Sequence, residues 1–296
     1  SSSAQGTLIV NSGLVQKVRG GNIIGGSLGG RGTLTVNGGT VSNNSQLLLA
    51  ESGTGQGILE LNGGVVQASA LTRFGGPTAI ARFNGGTLQA ITNNSAFISN
   101  LTQALVQSNG LVIDDNGFNI TIPQLLQEDA TSPGGGLLKF GNGMVNLTGA
   151  TTFRGDTRIL AGTLRVGLST ALQNSTVNLL EGDSGEVSFG TLAIATFGGL
   201  AGGRNLSLAN SNGLAVSLTI GANGSDTVFS GELSGPGNLT KTGQGTLTLS
   251  GTNTFTGNTA LAGGRLILDG VISSPVLNAN FGTLSGNGFA AGSLTV

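Results

Sequence analysis

The feature that most constrains this chain is an internal repeat built around the tripeptide Asn-Gly-Gly. Residues 32–41 read Gly-Thr-Leu-Thr-Val-Asn-Gly-Gly-Thr-Val, and residues 57–66 read Gly-Ile-Leu-Glu-Leu-Asn-Gly-Gly-Val-Val. Weaker copies start at residues 6 and 79, so the four start points are 26, 25 and 22 residues apart. Self-similarity at such a period is typical of solenoid and other repeat folds.

Each copy also alternates between apolar and polar residues with a period of two. In the copy at 32–41, Leu34 and Val36 fall on one side of the segment, and Thr33 and Thr35 fall on the other. Alternation that is rich in threonine and valine predicts a half-buried β-strand. We therefore expect inward-facing ladders, with threonines facing solvent, at these core positions: Leu34, Val36, Leu59, Leu61, Leu247 and Leu249.

The Asn-Gly-Gly tripeptides end these strands, because asparagine and glycine tolerate the positive φ angles of tight turns. Two further short strands, 40–42 and 46–50, follow the first full copy. Three strands and three corners in about 25 residues make one coil of a solenoid. The predicted repeat turns are Asn37, Gly38, Gly39, Asn62, Gly63, Gly64, Asn84, Gly85 and Gly86.

A single coil of this size cannot bury its aliphatic side chains, whereas a stack of coils shares one core. We therefore predict an all-β fold, a right-handed parallel β-helix with three short strands per coil. The right hand follows from the strong bias of parallel crossover connections. A β-sandwich or propeller is the alternative, but a propeller blade needs about 40 residues, which exceeds the observed spacing.

The repeats divide the chain into three regions of what we expect to be one continuous rod. Residues 1–100 contain the Asn-Gly-Gly coils, 101–136 form an irregular region, and 137–296 contain coils of a second kind. Phe97, Leu101, Ala104 and Leu105 lie at helix-like spacing, which predicts either a short helix or a long corner at 97–107. The Pro- and Gly-rich segment 131–136 is the predicted joint.

Composition excludes several functional classes. Only 8% of the residues are charged, against roughly 25% in an average domain, and 55 of 296 are glycine. The formal net charge is −1 and the basic residues are scattered singly, which argues against a nucleic-acid partner. No run of about 20 apolar residues predicts a membrane-spanning helix. Without cysteine there is no disulfide framework, and no motif indicates a cofactor or a metal.

A second, longer repeat relates two segments 102 residues apart. Residues 139–149 align with residues 241–251, and the alignment continues without a gap through the pairs Phe153/Phe255 and Gly162/Gly264. We expect both phenylalanines to lie in the core. The segment 235–268, Gly-Pro-Gly-Asn-Leu-Thr-Lys-Thr-Gly-Gln-Gly-Thr-Leu-Thr-Leu onward, resembles the autotransporter-associated β-strand repeat. The earlier copy, 135–166, is a weaker match, because Asn-Gly-Met-Val-Asn replaces the usual Gly-Thr-Leu-Thr pattern.

This resemblance implies a passenger-type bacterial surface protein that is exported across the envelope. It also implies an extracellular or cell-surface location. In that family the repeat is associated with the rod and its secretion rather than with catalysis. The first hundred residues look like related coils of large bacterial surface proteins.

An enzyme is the less favoured reading, because the chain has no His, Cys, Tyr or Trp to carry acid–base chemistry. The most obvious carboxylate pair is Asp114 and Asp115. Neighbours in a strand point to opposite faces, so these two side chains are not expected to converge. We interpret the segment 114–117, Asp-Asp-Asn-Gly, as a polar corner.

Two other acidic groups are also expected to be solvated. The spacing of Glu181, Asp183 and Glu186 fits no calcium-binding motif, so this group is predicted to be a turn. Glu128 and Asp129 are predicted to lie in a solvated loop. Accordingly, alanine at Asp114, Asp115, Asp183 or Glu186 should change stability little.

The sequence thus favours a non-catalytic, extracellular, structural β-solenoid that forms a surface rod or a head-to-tail filament. The expected partner is another solenoid coil, through end-to-end stacking of the terminal strands 6–10 and 292–296, or a neighbouring segment of a longer chain. The alternative is an adhesin or autotransporter passenger stalk that binds host or matrix ligands. A polysaccharide-active enzyme is the third possibility.

Overall fold

A computed structural model describes residues 5–17, 22–25, 30–51 and 53–295. Every regular element in this part of the chain is a β-strand, and the strands pair in parallel. The chain divides into two compact units, residues 1–155 with 161–163, and residues 156–160 with 164–296. Each unit is a parallel β-solenoid, which confirms the predicted fold class.

The first unit consists of coils that each contribute one strand to each of three sheets. In chain order its strands are β1 (Gln5–Val10), β2 (Leu14–Lys17), β3 (Asn22–Ile24), β4 (Arg31–Val36), β5 (Thr40–Asn43), β6 (Leu47–Leu49), β7 (Gln56–Leu61), β8 (Val65–Ala68), β9 (Leu71–Arg73), β10 (Thr78–Phe83), β11 (Thr87–Ala90), β12 (Ile98–Ser99), β13 (Gln103–Val106), β14 (Leu111–Asp114), β15 (Asn119–Ile122), β16 (Gln127–Glu128), β17 (Leu137–Phe140) and β18 (Met144–Leu147).

Three sheet orders describe the stacking in this unit. The first is β1-β4-β7-β10-β13-β16, and the second is β2-β5-β8-β11-β14-β17. The third face consists of β3-β6-β9-β12, and a parallel bridge from Asn94 to Ile120 connects it with the pair β15-β18. Three short strands per coil therefore enclose one core.

The register of the first sheet follows the sequence repeat residue by residue. Gly6 pairs with Gly32, Gly32 with Gly57, and Gly57 with Ala79, which are the four start points of the repeat. Because a slip of one residue would turn every apolar side chain outward, the repeat and the burial pattern fix the register together.

The apolar positions of the alternation are buried in both units. The threonines at 33, 35, 246 and 248 are only partly exposed, so the outer face of these strands is not fully solvated. The exposed fractions of the predicted ladder residues are 4% for Leu34 and 0% for Val36, Leu59, Leu61, Leu247 and Leu249.

The Asn-Gly-Gly turns use their glycines differently from copy to copy. Gly39 and Gly64, the third residues of their tripeptides, have φ angles of 72° and 64°, whereas in the third copy the second residue, Gly85, has φ 97°. The remaining turn glycines, Gly38, Gly63 and Gly86, lie against backbone or side-chain atoms of the preceding coil, where a Cβ atom would collide.

The asparagines of these turns form an amide ladder along the stack. Asn37 Nδ2 donates to Asn11 Oδ1 at 2.8 Å, and Asn62 Nδ2 donates to Asn37 Oδ1 at 2.9 Å. Asn84 Oδ1 instead accepts a hydrogen bond of 3.2 Å from the backbone N–H of Asn109. Each asparagine therefore ties its turn to a turn of a neighbouring coil.

The segment 97–107 is not helical, so the helix alternative for this segment is wrong. It contains β12 and β13, and it follows the same coil path as its neighbours. Phe97, Leu101 and Ala104 are buried because they line successive corners and strands of the core, whereas Leu105 alternates outward. A corner of irregular length thus produced an apolar spacing that imitates a helix.

The second unit has longer strands that bend around corners. In chain order its strands are β19 (Thr157–Ile159), β20 (Thr163–Val166), β21 (Leu172–Leu179), β22 (Glu186–Ser188), β23 (Ile194–Gly202), β24 (Leu206–Ser207), β25 (Ser217–Ile220), β26 (Thr227–Phe229), β27 (Leu233–Ser234), β28 (Leu239–Lys241), β29 (Thr246–Leu249), β30 (Thr252–Asn253), β31 (Thr259–Leu268), β32 (Val271–Ile272), β33 (Val276–Ser285), β34 (Phe289–Ala290) and β35 (Ser293–Thr295). The first residue of β20, Thr163, belongs to the first unit, and the rest of that strand belongs to the second.

Some of these strands serve two faces of the second unit. The first part of β31 pairs with β28 and its last part pairs with β29, and the pairing of β31 with β33 contains register shifts that mark the bend. The third face is interrupted, with β22 at the end of one sheet, the pair β24-β27, and the sheet β30-β32-β34. Leu247 pairs with Leu266, so a coil here takes 19 residues and is shorter than those of the first unit.

Candidate functional site

Each copy of the long repeat places a lysine at an inward position of a strand. Lys139 pairs with Ile113 of the preceding coil, and Lys241 lies between Ile220 and Leu261 in its column. The exposed fractions of these lysines are 0% and 1%. Since lysine is almost never fully buried unless it is paired, these two side chains are the most unusual polar groups in the core.

The ammonium group of Lys139 binds three backbone carbonyl groups. Its Nζ atom donates to the carbonyl oxygens of Gly141 at 2.7 Å, Gly143 at 3.0 Å and Ala161 at 2.7 Å. Gly141 and Gly143 belong to the turn that follows the lysine, whereas Ala161 lies 22 residues after it. The three N–H donors of an ammonium thus join two successive turns.

Lys139 also forms an ion pair with Asp115, and neither side chain has any solvent exposure. Asp115 Oδ1 accepts hydrogen bonds from the backbone N–H groups of Gly117 at 2.9 Å and Gly143 at 2.7 Å. Burial lowers the pKa of the Lys139 ammonium, and the neighbouring Asp115 carboxylate opposes that shift. The carboxylate supplies the charge that makes a buried ammonium tolerable.

This geometry corrects one expectation about the segment 114–117. The segment is a corner, with positive φ at Asn116 and Gly117, and Asp114 is partly exposed. Asp115, however, lies inside the core rather than in solvent. Contrary to the expectation from the sequence, we therefore predict that alanine at Asp115 lowers stability, because that substitution would leave the Lys139 ammonium buried without its counter-charge.

The lysine of the second copy also binds three backbone carbonyl groups, two of them at positions equivalent to those of the first copy. Lys241 Nζ donates to the carbonyl oxygens of Thr242 at 2.6 Å, Gly243 at 3.4 Å and Gly263 at 3.3 Å. Burial lowers the pKa of Lys241, and the charge of Asp226 opposes the shift from an exposed position. In the described part of the chain, the ion pairs within 4 Å do not include Lys241.

A glycine in the left-handed conformation completes each arrangement. Gly162 has φ 64°, and a Cβ atom there would lie 2.5 Å from Lys139 Nζ. Gly264 has φ 66°, and its Cβ atom would lie 2.8 Å from Lys241 Nζ. We name each arrangement a lysine latch, and its members are Lys139, Gly141, Gly143, Ala161 and Gly162 in the first copy and Lys241, Thr242, Gly243, Gly263 and Gly264 in the second.

The other predicted acidic groups do not form a site. Asp183 is tied to Arg158 by two hydrogen bonds, of 2.9 Å and 3.2 Å, while Glu181 and Glu186 are exposed. Across the described ranges, no three acidic, His or Cys side chains come together in a way that could hold a metal ion. The acidic turn is therefore partly anchored rather than fully solvated.

Asp129 also departs from the solvated loop that the sequence predicts. It is 6% exposed and accepts hydrogen bonds from the Thr131 hydroxyl at 2.7 Å and from Gln107 Nε2 at 2.8 Å. The Thr131 hydroxyl is the main reason that the pKa of Asp129 is lowered. Its neighbour Glu128 is partly exposed and pairs with Arg154 at 3.4 Å.

In both lysine latches the Nζ hydrogens point to backbone carbonyl oxygens, so each lysine joins turns of successive coils. Sequence reasoning missed the latches, although lysine recurs at the same inward phase of both copies. Phe153 and Phe255, the other matched pair, have no solvent exposure and lie in the core.

Comparison with known families identifies the segments that carry the latches. Residues 137–166 and 239–268 match the family model described as passenger-associated-transport-repeat. This match confirms the resemblance to an autotransporter passenger repeat for these two segments. No curated protein and no solved structure matches the chain significantly. A passenger repeat on a β-solenoid is consistent with a non-catalytic surface passenger.

Helices of the length and apolar character that a bilayer crossing requires are not found among the described residues.

Proposed function

We propose that this chain is a non-catalytic, structural β-solenoid segment of an exported bacterial surface protein, where it serves as part of a surface rod. The observation that carries the proposal is that both family-matched segments contain a lysine latch. In each latch the repeat uses a buried lysine to join successive turns. A repeat whose buried ammonium group binds backbone carbonyl groups of successive turns is suited to building coils rather than to turning over a substrate.

The proposal is tested by display on a bacterial surface. The chain, placed between an export signal and an outer-membrane anchor, should reach the cell surface as a protease-resistant segment. A variant with Lys139→Met and Lys241→Met should arrive in smaller amounts or in a protease-sensitive form, whereas Glu186→Gln, an exposed position, should behave as the parent. Turnover of a polysaccharide that depends on one carboxylate of this chain would contradict the proposal.

For the partner, we propose a further solenoid coil, from a second copy of the chain or from a neighbouring segment of a longer chain. The apolar side chains Leu8, Leu14, Phe281, Phe289 and Leu294 are at least half exposed and lie in the outermost described coils. A coil stacked on either surface would cover these side chains and extend the parallel ladder. Residue 296, part of the predicted terminal strand, lies outside the described residues.

Sedimentation and negative-stain imaging at high protein concentration test end-to-end stacking. Filaments that Leu8→Lys or Leu294→Lys prevents, without loss of the folded state, would support a second copy as the partner. A monodisperse monomer would contradict filament formation and leave the neighbouring-segment partner as the proposal.

A further inference from the structure

The second unit contains a cleft where two successive strands of one face do not pair. β22 ends its sheet on one side of the cleft, and β24 pairs only with β27 on the other. The coils are joined before and after this point, because Arg204 N–H donates to Leu179 O at 3.1 Å and Ser211 N–H donates to Gly190 O at 2.7 Å. Between these two hydrogen bonds, β22 and β24 are not paired with each other.

The opening has a cause in the sequence. Between the anchors the earlier coil uses ten residues, 180–189, whereas the later coil uses six, 205–210. The extra residues fold back onto the preceding coil, since Ser184 N–H donates to Leu160 O at 2.9 Å and the carboxylate of Asp183 binds Arg158. An insertion held in this way draws β22 away from β24.

The cleft has a volume of about 590 Å³, an apolar floor and a polar rim. Leu179 and Leu206 are buried in its floor, and Val187, which occupies the inward position of β22, is only partly buried. This volume lies within the usual range for ligand sites. The rim consists of Glu186, Arg204, Asn205, Ser207 and Ser234.

One wall of the cleft presents an unused backbone donor. Leu206 N–H and Leu208 N–H both donate to the following coil, to Glu232 O at 2.9 Å and Ser234 O at 2.7 Å. Alternate residues of a parallel strand bond to opposite neighbours, so the Ser207 N–H points into the cleft. The Nη1 atom of Arg204 also has no hydrogen-bond partner within the described part of the chain.

We propose that this cleft accepts a short extended peptide, which adds a strand between β22 and β24. Strand addition takes its affinity from main-chain hydrogen bonds and its specificity from alternate side chains. The guest would place one apolar side chain on the floor formed by Leu179, Val187 and Leu206. Glu186 lines the cleft and Glu181 lies near Gly203, next to its rim, and both are exposed, so we assign basic residues to the outward-facing positions of the guest. Among the residues that the structure describes, those that line the cleft include no aromatic side chain, which disfavours a saccharide, because sugars generally stack on aromatic rings.

The inference goes beyond the structural role proposed above and does not depend on it. It would make the chain a ligand-binding passenger, and a peptide could bind whether or not the chain builds a rod.

The test uses the whole chain and fluorescently labelled pentapeptides, with binding followed by fluorescence polarisation. The probe is acetyl-Thr-Lys-Leu-Lys-Thr-amide, and its matched controls are the peptide with Glu in place of both Lys and the peptide with an N-methylated Leu. We expect saturable binding of the Lys peptide, at least fivefold weaker binding of the Glu peptide, and at least tenfold weaker binding of the N-methyl peptide.

Two variants place the binding in the cleft. Glu186→Lys should reverse the preference between the Lys and Glu peptides, whereas Asp269→Lys, the same charge change at an exposed residue of a later coil, should not. Ser207→Pro removes the N–H that faces the cleft and should weaken binding at least tenfold. Circular dichroism and thermal unfolding show whether each variant is folded. If Ser207→Pro does not fold, the peptide preference of Glu186→Lys alone shows whether the peptide binds in the cleft.

Absence of saturable binding at millimolar peptide, or binding that neither variant changes, would overturn the proposal. Saturable binding of an oligosaccharide panel that Glu186→Lys abolishes, with no peptide binding, would overturn it in favour of a saccharide site.

Discussion

The ammonium of Lys139 donates a hydrogen bond of 2.7 Å to the carbonyl oxygen of Ala161, 22 residues later in the chain. Lys241 and Gly263 repeat this contact at 3.3 Å with the same separation in sequence. Because both copies of the repeat make this contact, the repeat itself contains a side chain that holds successive coils together. The two lysine latches differ in charge pairing, since only Lys139 has a carboxylate partner, Asp115, beside it.

That difference predicts that replacing the lysine by methionine lowers the free energy of unfolding by different amounts in the two latches. Lys139→Met leaves the Asp115 carboxylate buried without its partner, which should cost about 3–5 kcal/mol in the free energy of unfolding. Lys241→Met leaves only neutral carbonyl groups unpaired and should cost about 1–3 kcal/mol. Denaturant unfolding of both variants measures the two values. In the double variant Lys139→Met with Asp115→Asn, part of the loss should be recovered, because Asn keeps the Oδ1 acceptor; equal costs for both lysines would contradict this account.

The alkaline pH dependence of stability should report Lys241. Because its folded pKa is lowered below the ordinary value of 10.5, the unfolded chain binds more protons between those two pKa values. The stability of the parent relative to Lys241→Met should therefore rise as the pH increases through this window and level off above it. The chain has no Tyr or Cys to titrate in the same range. A difference between parent and variant that stays constant up to pH 10.5 would show that the Lys241 pKa is not lowered.

The glycines of the latches should not tolerate a side chain. Gly162→Ala and Gly264→Ala each place a Cβ atom against the ammonium and at a positive φ, which should destabilise the fold by about 2–4 kcal/mol. Gly182→Ala is the matched control, since its Cβ atom would meet nothing within 4 Å and its φ is not in the left-handed region. Thermal unfolding of the three variants should separate Gly182→Ala from the other two; similar melting temperatures for all three would refute the steric argument.

The lowered pKa of Asp129 predicts that the protein loses stability at acid pH. Its folded pKa is lowered from 3.8, so its contribution is present above that pH and is lost as the pH falls through the folded pKa. Thr131→Val removes the main hydrogen bond to the carboxylate and should cost about 1–2 kcal/mol at pH 7. The cost should shrink below pH 3.8 as the carboxylate becomes protonated in both proteins. Unfolding at pH 7 and pH 3 checks this, and an equal cost at both would show that the hydrogen bond does not depend on the charge.

The register of the coils was predictable because two features of the sequence indicate it, the spacing of the repeats and the apolar alternation within them. Gly6, Gly32, Gly57 and Ala79 begin similar sequences, and they are also direct partners in the ladder. Apolar alternation then selects the face that each side chain occupies. Neither signal depends on distant parts of the chain, so the fold class could be read from local sequence.

The polar groups of the core could not be read in the same way. Asp115 and Lys139 are 24 residues apart in the sequence, and an acidic residue beside Asn-Gly is ordinarily found in a solvated turn. Only the stacking of coils brings the two side chains together, and burial of each depends on the other. The cleft beside β24 was equally hidden, because it results from a difference in length between two successive coils.

The most direct test of the lysine latches is the reactivity of the lysines in the native protein. The lysines of the chain are Lys17, Lys139 and Lys241. Reductive methylation followed by peptide mass spectrometry, before and after denaturation, reports the accessibility of each amine. We predict that Lys139 and Lys241 stay unmodified in the native protein and are methylated fully once it is unfolded. Rapid methylation of both lysines in the folded protein would contradict the account.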